Sequence, residues 1–215
     1  MKKYCLFVIL MLMMTLGLTA CGSEDQPPVN SESEKEQENL FLGTWQGKCD
    51  FTEMMKSEMI ADNKTLEKYI NFEELSLEFR FEFSEEQMIR FVTKESAEQF
   101  LFNMENGLIA ALDAMMEASA AKANMTVEDL YLMNETTREE QVLEPVREMH
   151  LEKIVEALAN TFEIQGNYEY DEKTLILYHS EDTYERMPYV FGGEKLMISI
   201  ARGTDTFDII CTKSN

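Results

Sequence analysis

Basic residues are scarce: 19 Lys and Arg stand against 41 Asp and Glu, a formal charge of −22 over 215 residues. A surface this negative repels phosphate backbones and anionic headgroups, which excludes nucleic-acid binding by counterion release. Histidine is nearly missing. Only His150 and His179 occur, and neither has a second histidine four residues on to complete a helical zinc pair. Glycine and proline number 9 and 4, too few for a collagen-like or low-complexity chain. The chain also lacks a Gly-x-Ser-x-Gly elbow, a phosphate loop, a dinucleotide fingerprint, a His-Glu-x-x-His pair and a Cys-x-x-Cys pair. Carboxylates are so common that no two of them stand out as a glycosidase dyad. The expectation is a protein that is not an enzyme, with no cofactor and no dedicated metal site.

What is present is apolar: 45% of the residues are hydrophobic and 10% aromatic, enough for one domain with a sizeable core. The apolar side chains are not spread evenly. Met1-Lys2-Lys3 precedes an apolar run from Tyr4 to Leu18, and the small residues Thr19-Ala20 lead into Cys21. A short basic start, an apolar stretch and a small-residue break make a secretory signal over residues 1–20. The stretch is too short for a comfortable bilayer span.

Leu18-Thr19-Ala20-Cys21 resembles the bacterial lipobox. The resemblance implies that the chain is cut before Cys21 and that lipid is attached to its thiol, placing the protein on the extracytoplasmic face of a cell membrane. Two acyl chains at one site anchor stably where one binds only reversibly. Loss of Lys2 and Lys3 with the signal takes the charge from −22 to −24. Residues 21–39 follow as the lipidated cysteine and a linker, GSEDQPPVNSESEKEQEN after Cys21, in which Val29 is the single aliphatic side chain. Such a segment buries too little to offset its ordering entropy and reads as a flexible acidic tether.

The body, residues 40–215, alternates strand and helix patterns. Leu40 to Phe51 suits a first strand, and Thr52 to Glu74 suits one or two short helices. Leu75, Leu77, Phe79, Phe81 and Phe83 then alternate with Ser76, Glu78, Arg80 and Glu82, the period of a strand with one buried face. Ser84-Glu85-Glu86 turns it, and Gln87 to Val92 returns as its hairpin partner. Residues 95–160 change to a spacing of three and four, so Glu95 to Lys122 is predicted as an amphipathic helix. Thr126 to Asp129 caps a short helix, and Thr137 to Glu140 opens a last one carrying Leu143, Val146, His150, Leu151, Ile154, Val155 and Leu158. His150 is expected to pack beside that apolar stripe, and Pro145 either kinks the helix or marks its first turn. After Thr161 the two-residue period returns with a weak repeat. Tyr168 to Leu177 aligns with Tyr189 to Ile198, each an aromatic strand, a turn and an aliphatic strand, as in successive hairpins. Thr206 to Thr212 is the last strand.

Gly43-Thr44-Trp45, with the only tryptophan of the chain, resembles the start of the first strand in lipocalins. The resemblance implies an α+β fold: an antiparallel lipocalin-like barrel or meander of about eight strands, here with a two- to three-helix insertion in mid-chain. It also implies a tryptophan that plugs one end, a basic partner on the last strand for which Lys213 is the candidate, and a cavity for one apolar ligand. The layout is similar to acidic lipoproteins with lipocalin-like domains from Gram-positive anaerobes. Trp45, Phe79, Phe81, Phe83, Phe100, Met104, Met115 and Met116 are the residues expected to line such a pocket or the seam between helices and barrel. The methionines also suit ordinary gap-filling.

Cys49 and Cys211 fall on the first and last strands with the parity of the core aromatics, which leaves open a disulfide or two buried thiols. Two functions follow as expectations. One is a lipid-anchored binder of a small apolar ligand or an envelope component. The other is an interaction protein with a solid barrel whose acidic helices meet a basic protein partner.

Overall fold

The computed structural model describes residues 39–61, 65–180, 183–202 and 205–214. The signal, Cys21 and nearly all of the tether lie outside the described residues. The strands are β1 (Gly43–Asp50), β2 (Ser76–Phe83), β3 (Gln87–Val92), β4 (Ile164–Tyr170), β5 (Thr174–Tyr178), β6 (Tyr184–Gly192), β7 (Lys195–Arg202) and β8 (Asp205–Ser214). Each pairs antiparallel with the next and β8 pairs with β1, so the sheet closes as a lipocalin-like barrel. Closure removes both sheet edges, the sites at which strands otherwise recruit other chains.

Strand parity sets the inside. On β2, Leu77, Phe79, Phe81 and Phe83 are buried while Ser76, Glu78, Arg80 and Glu82 stay partly wet. Closure needs Gly47, which lies between Phe79 on β2 and Cys211 on β8. A Cβ there would sit 2.6 Å from the Ile210 carbonyl oxygen and 2.9 Å from the Cys211 Sγ. The hairpins are built from local chemistry. Asp171 Oδ1 accepts from the amides of Lys173 and Thr174, both at 2.8 Å, to turn β4 into β5, an Asx-type turn. Those two amide bonds hold its carboxyl below the usual carboxylate range.

The helices are α1 (Thr52–Ala61), α2 (Lys94–Lys122), α3 (Val127–Met133), α4 (Glu144–Glu148) and α5 (Leu151–Phe162). α1 and a 3-10 turn at Leu66–Lys68 join β1 to β2, and α2 to α5 form the insertion between β3 and β4. Thr126 and Asp129 make the capping box expected at α3. Thr137 and Glu140 also exchange their bonds, Glu140 Oε2 accepting from the Thr137 amide at 3.0 Å.

The single last helix expected from Thr137 is corrected. A π-helical turn at Glu139–Leu143 precedes Pro145, which falls in the first turn of α4. Proline lacks the amide an α-helix would need there, and the wider turn absorbs the lost bond. His150 then breaks the chain at φ 50°, in the left-handed region, and its ring is exposed. It does not pack on the stripe of α5. The first strand is also shorter than Leu40 to Phe51, because Asn39 to Leu42 turn across the barrel mouth instead.

Candidate functional site

The barrel has two mouths, and aromatic side chains close both. Near the point where the described chain starts, Phe41 is buried with its ring centroid 4.8–5.1 Å from those of Phe83, Tyr170, Tyr189 and Phe191. Trp45 Nε1 donates to the Phe41 carbonyl at 2.7 Å. Asn39 accepts from the Phe41 amide through Oδ1 and donates to the Tyr168 hydroxyl at 2.7 Å. The Tyr168 hydroxyl in turn donates to the Ser84 carbonyl at 2.8 Å. Four residues thereby form a stopper whose polar atoms are paired. Lys213 lies opposite Trp45 in the β1–β8 register, and its Nζ stands 5.5 Å from the tryptophan ring centroid, a cation–π distance.

At the other mouth Phe51 is the hub, 4.9 Å from Phe207, 5.9 Å from Phe162 and 6.5 Å from Phe100. Phe100 comes from α2 and Phe162 from the end of α5, so the insertion is the lid of this mouth. Gly107 of α2 admits it closely, since a Cβ there would meet the Phe72 ring at 2.4 Å.

Between the mouths the interior is filled. Phe79, Phe81, Met88, Arg90, Leu177, Met187, Leu196, Ile198 and Cys211 have no accessible surface. A side chain without accessible surface borders no void that admits a water molecule. The residues expected to line a pocket divide accordingly. Trp45, Phe79, Phe81 and Phe83 are packed barrel core, Phe100 and Met104 are buried in the seam under α2, and Met115 and Met116 are half-buried further along that helix.

One charged residue escaped the sequence reading. Arg90 is fully buried inside the wall of β3. Its Nε donates to the Phe162 carbonyl at 2.9 Å, and Nη1 and Nη2 donate to the two carboxylate oxygens of Glu185 at 3.1 and 3.0 Å. A bidentate pair of this kind fixes orientation as well as charge. Here it ties β3 to β6 across the interior and places a cation at the C-terminal carbonyl of α5, where the helix dipole favours one. The signal was present in Met88-x-Arg90-x-Val92, which puts the arginine on the inward parity.

Cys49 and Cys211 are buried and free. Cys211 faces Gly47 across the β1–β8 pair, so Cys49 is its diagonal neighbour rather than its direct partner. Diagonal neighbours sit about 7–8 Å apart, beyond the usual disulfide span. Burial, with Asp50 and Asp208 adding to it, raises the Cys49 thiol to about 11, and burial raises Cys211 to about 12. Both are neutral packing groups.

Outside the barrel a groove of about 400 Å³ runs between α2 and α5 beside the end of β3. Val92, Ala97, Leu101, Val155 and Ala159 are its apolar lining, and Glu98, Glu152, Glu156 and Glu163, with Lys94 and Asn160, its polar lining. A second, more open concavity of about 710 Å³ lies over β4, with Glu85, Glu86, Glu169 and His179 around it. Among the described residues no three His, Cys, Asp or Glu side chains are grouped to hold a metal ion. Comparison with protein-family models, with curated proteins and with solved structures finds no match.

Proposed function

We propose that this protein is an extracytoplasmic lipoprotein, held at a membrane through Cys21, whose barrel is a solid, non-catalytic scaffold for contact with a basic protein partner. The observation that carries the reading is the packed interior. A carrier barrel needs a concave site of several hundred cubic ångströms around its ligand, whereas the side chains midway along the barrel here have no accessible surface and aromatic rings stand in both mouths. Acidic helices on such a body steer and select partners of opposite charge. The lipobox-like Leu18-Thr19-Ala20-Cys21 supports the anchor.

Two measurements test this. Metabolic labelling with an alkyne fatty acid is expected to mark the wild-type chain and not Cys21→Ala; equal labelling of both removes the anchor. Titration with an environment-sensitive fluorescent fatty acid is expected to give no saturable one-to-one site. A stoichiometric site replaces the scaffold with the carrier.

A further inference from the structure

The groove between α2 and α5 combines features that seldom occur together by default. Its floor is apolar, and the small side chains of Ala97 and Ala159 are part of it. Its rim is acidic. Glu98 pairs with Lys94 at 3.6 Å and Glu152 with the His150 ring at 3.4 Å, while Glu156 and Glu163 form no ion pair among the described residues. Both walls are held in place. Ser96 Oγ at the start of α2 accepts from the Glu78 amide at 3.0 Å, and Arg90 grips the end of α5 through the Phe162 carbonyl. The site is therefore preformed rather than dependent on an arriving ligand.

Three kinds of occupant are conceivable, and charge decides among them. The tether of this chain carries six acids against Lys35 and is repelled by the rim. A second copy brings its own charge of −22 and is repelled as well. We propose that the groove docks a basic amphipathic segment of a partner protein. Its apolar anchor sits on Ala97, Leu101, Val155 and Ala159, and its Lys or Arg side chains meet Glu98, Glu152, Glu156 and Glu163. This is helix-in-groove recognition with electrostatic selection. It rests on the interaction reading given above and adds the site and the chemistry of the partner. The groove lies at the helical mouth, opposite the mouth that Asn39 to Leu42 close.

The test uses the full-length chain in non-ionic detergent and a fluorescent amphipathic peptide of leucine and lysine, with its leucine and glutamate counterpart as control. The lysine peptide is expected to bind at low salt and the glutamate peptide not to bind. Ala159→Leu, which fills the floor without altering charge, is expected to weaken binding about tenfold, as is the double variant Glu156→Lys/Glu163→Lys. Glu194→Lys, on the β6–β7 turn far from the groove, is expected to change it less than about twofold. Circular dichroism confirms that each variant is folded. If Ala159→Leu binds as well as wild type, or Glu194→Lys weakens binding as much as the rim variant, the attraction is diffuse and the groove is not the site. If the lysine peptide does not bind at all, the proposal is overturned. Failure of the scaffold reading itself shows elsewhere, as a saturable fatty-acid site.

Discussion

Arg90 is the residue on which the interior depends most sharply. Its guanidinium is fully buried, and removing it takes the two-pronged donor from the Glu185 carboxylate and the Nε donor from the Phe162 carbonyl. Breaking one side of a buried pair costs about 3–5 kcal/mol. Arg90→Met is therefore expected to lower the urea midpoint by that equivalent, and a variant as stable as wild type contradicts the assigned role. The two thiols make a second prediction at this scale. Their folded values lie above the unfolded value of 9.0, so the native state holds protons that the unfolded chain releases. Their contribution is complete below about pH 9 and is lost as pH rises toward 11 and 12. Iodoacetamide at pH 8 is expected to leave Cys49 and Cys211 unmodified in the native protein and to alkylate both in urea. Mass spectrometry of tryptic peptides reads this directly, and native-state alkylation contradicts the packing.

At the scale of elements, Asn39 to Leu42 matter beyond their length. Phe41 fills the centre of five rings, so Phe41→Ala is expected to cost about 3–5 kcal/mol and to lower the melting midpoint by about 10 °C. A shift below about 2 °C would mean that the mouth closes without its stopper. Much of the framework was legible in the residues. The alternation from Leu75 to Phe83, the spacing of three and four from Phe100 to Leu112, and the repeat of Tyr168 to Leu177 in Tyr189 to Ile198 each specify one local geometry, and the fold contains all three. Other features needed information that local pattern does not hold. Leu40 and Phe41 read as strand because they are apolar, but Phe41 packs on rings of β2, β4 and β6, far off in sequence, and Leu40 is exposed. His150 shares the helical spacing of Val146 and Ile154, yet the chain breaks there after the π-helical turn and α4. The groove was invisible for a related reason: Ala97 and Ala159 are unremarkable singly and share one lining only when α2 and α5 lie side by side.

For the whole molecule, closure and filling are separate facts with one consequence. Closure is a matter of strand pairing, with β8 returning to β1 over the Gly47 backbone. Filling is a matter of side-chain volume: phenylalanine, leucine, isoleucine and methionine meet at the axis, and helices and N-terminal residues cap the ends. A barrel of this strand number is just wide enough for side chains to fill it or for one small ligand to replace some of them. The sequence pattern of inward apolar residues is the same in the two cases, and side-chain packing is what distinguishes them. Charge then acts outside. The proposed selection of a basic partner rests on the excess of acids over bases.

Native mass spectrometry of the full-length chain, extracted from cells in mild non-ionic detergent, tests the solid barrel most directly. The account predicts a protein mass equal to the chain, cut before Cys21 and carrying its acyl groups, with no further small molecule retained at any collision energy. A retained apolar molecule at one-to-one stoichiometry, released only as the barrel unfolds, contradicts it.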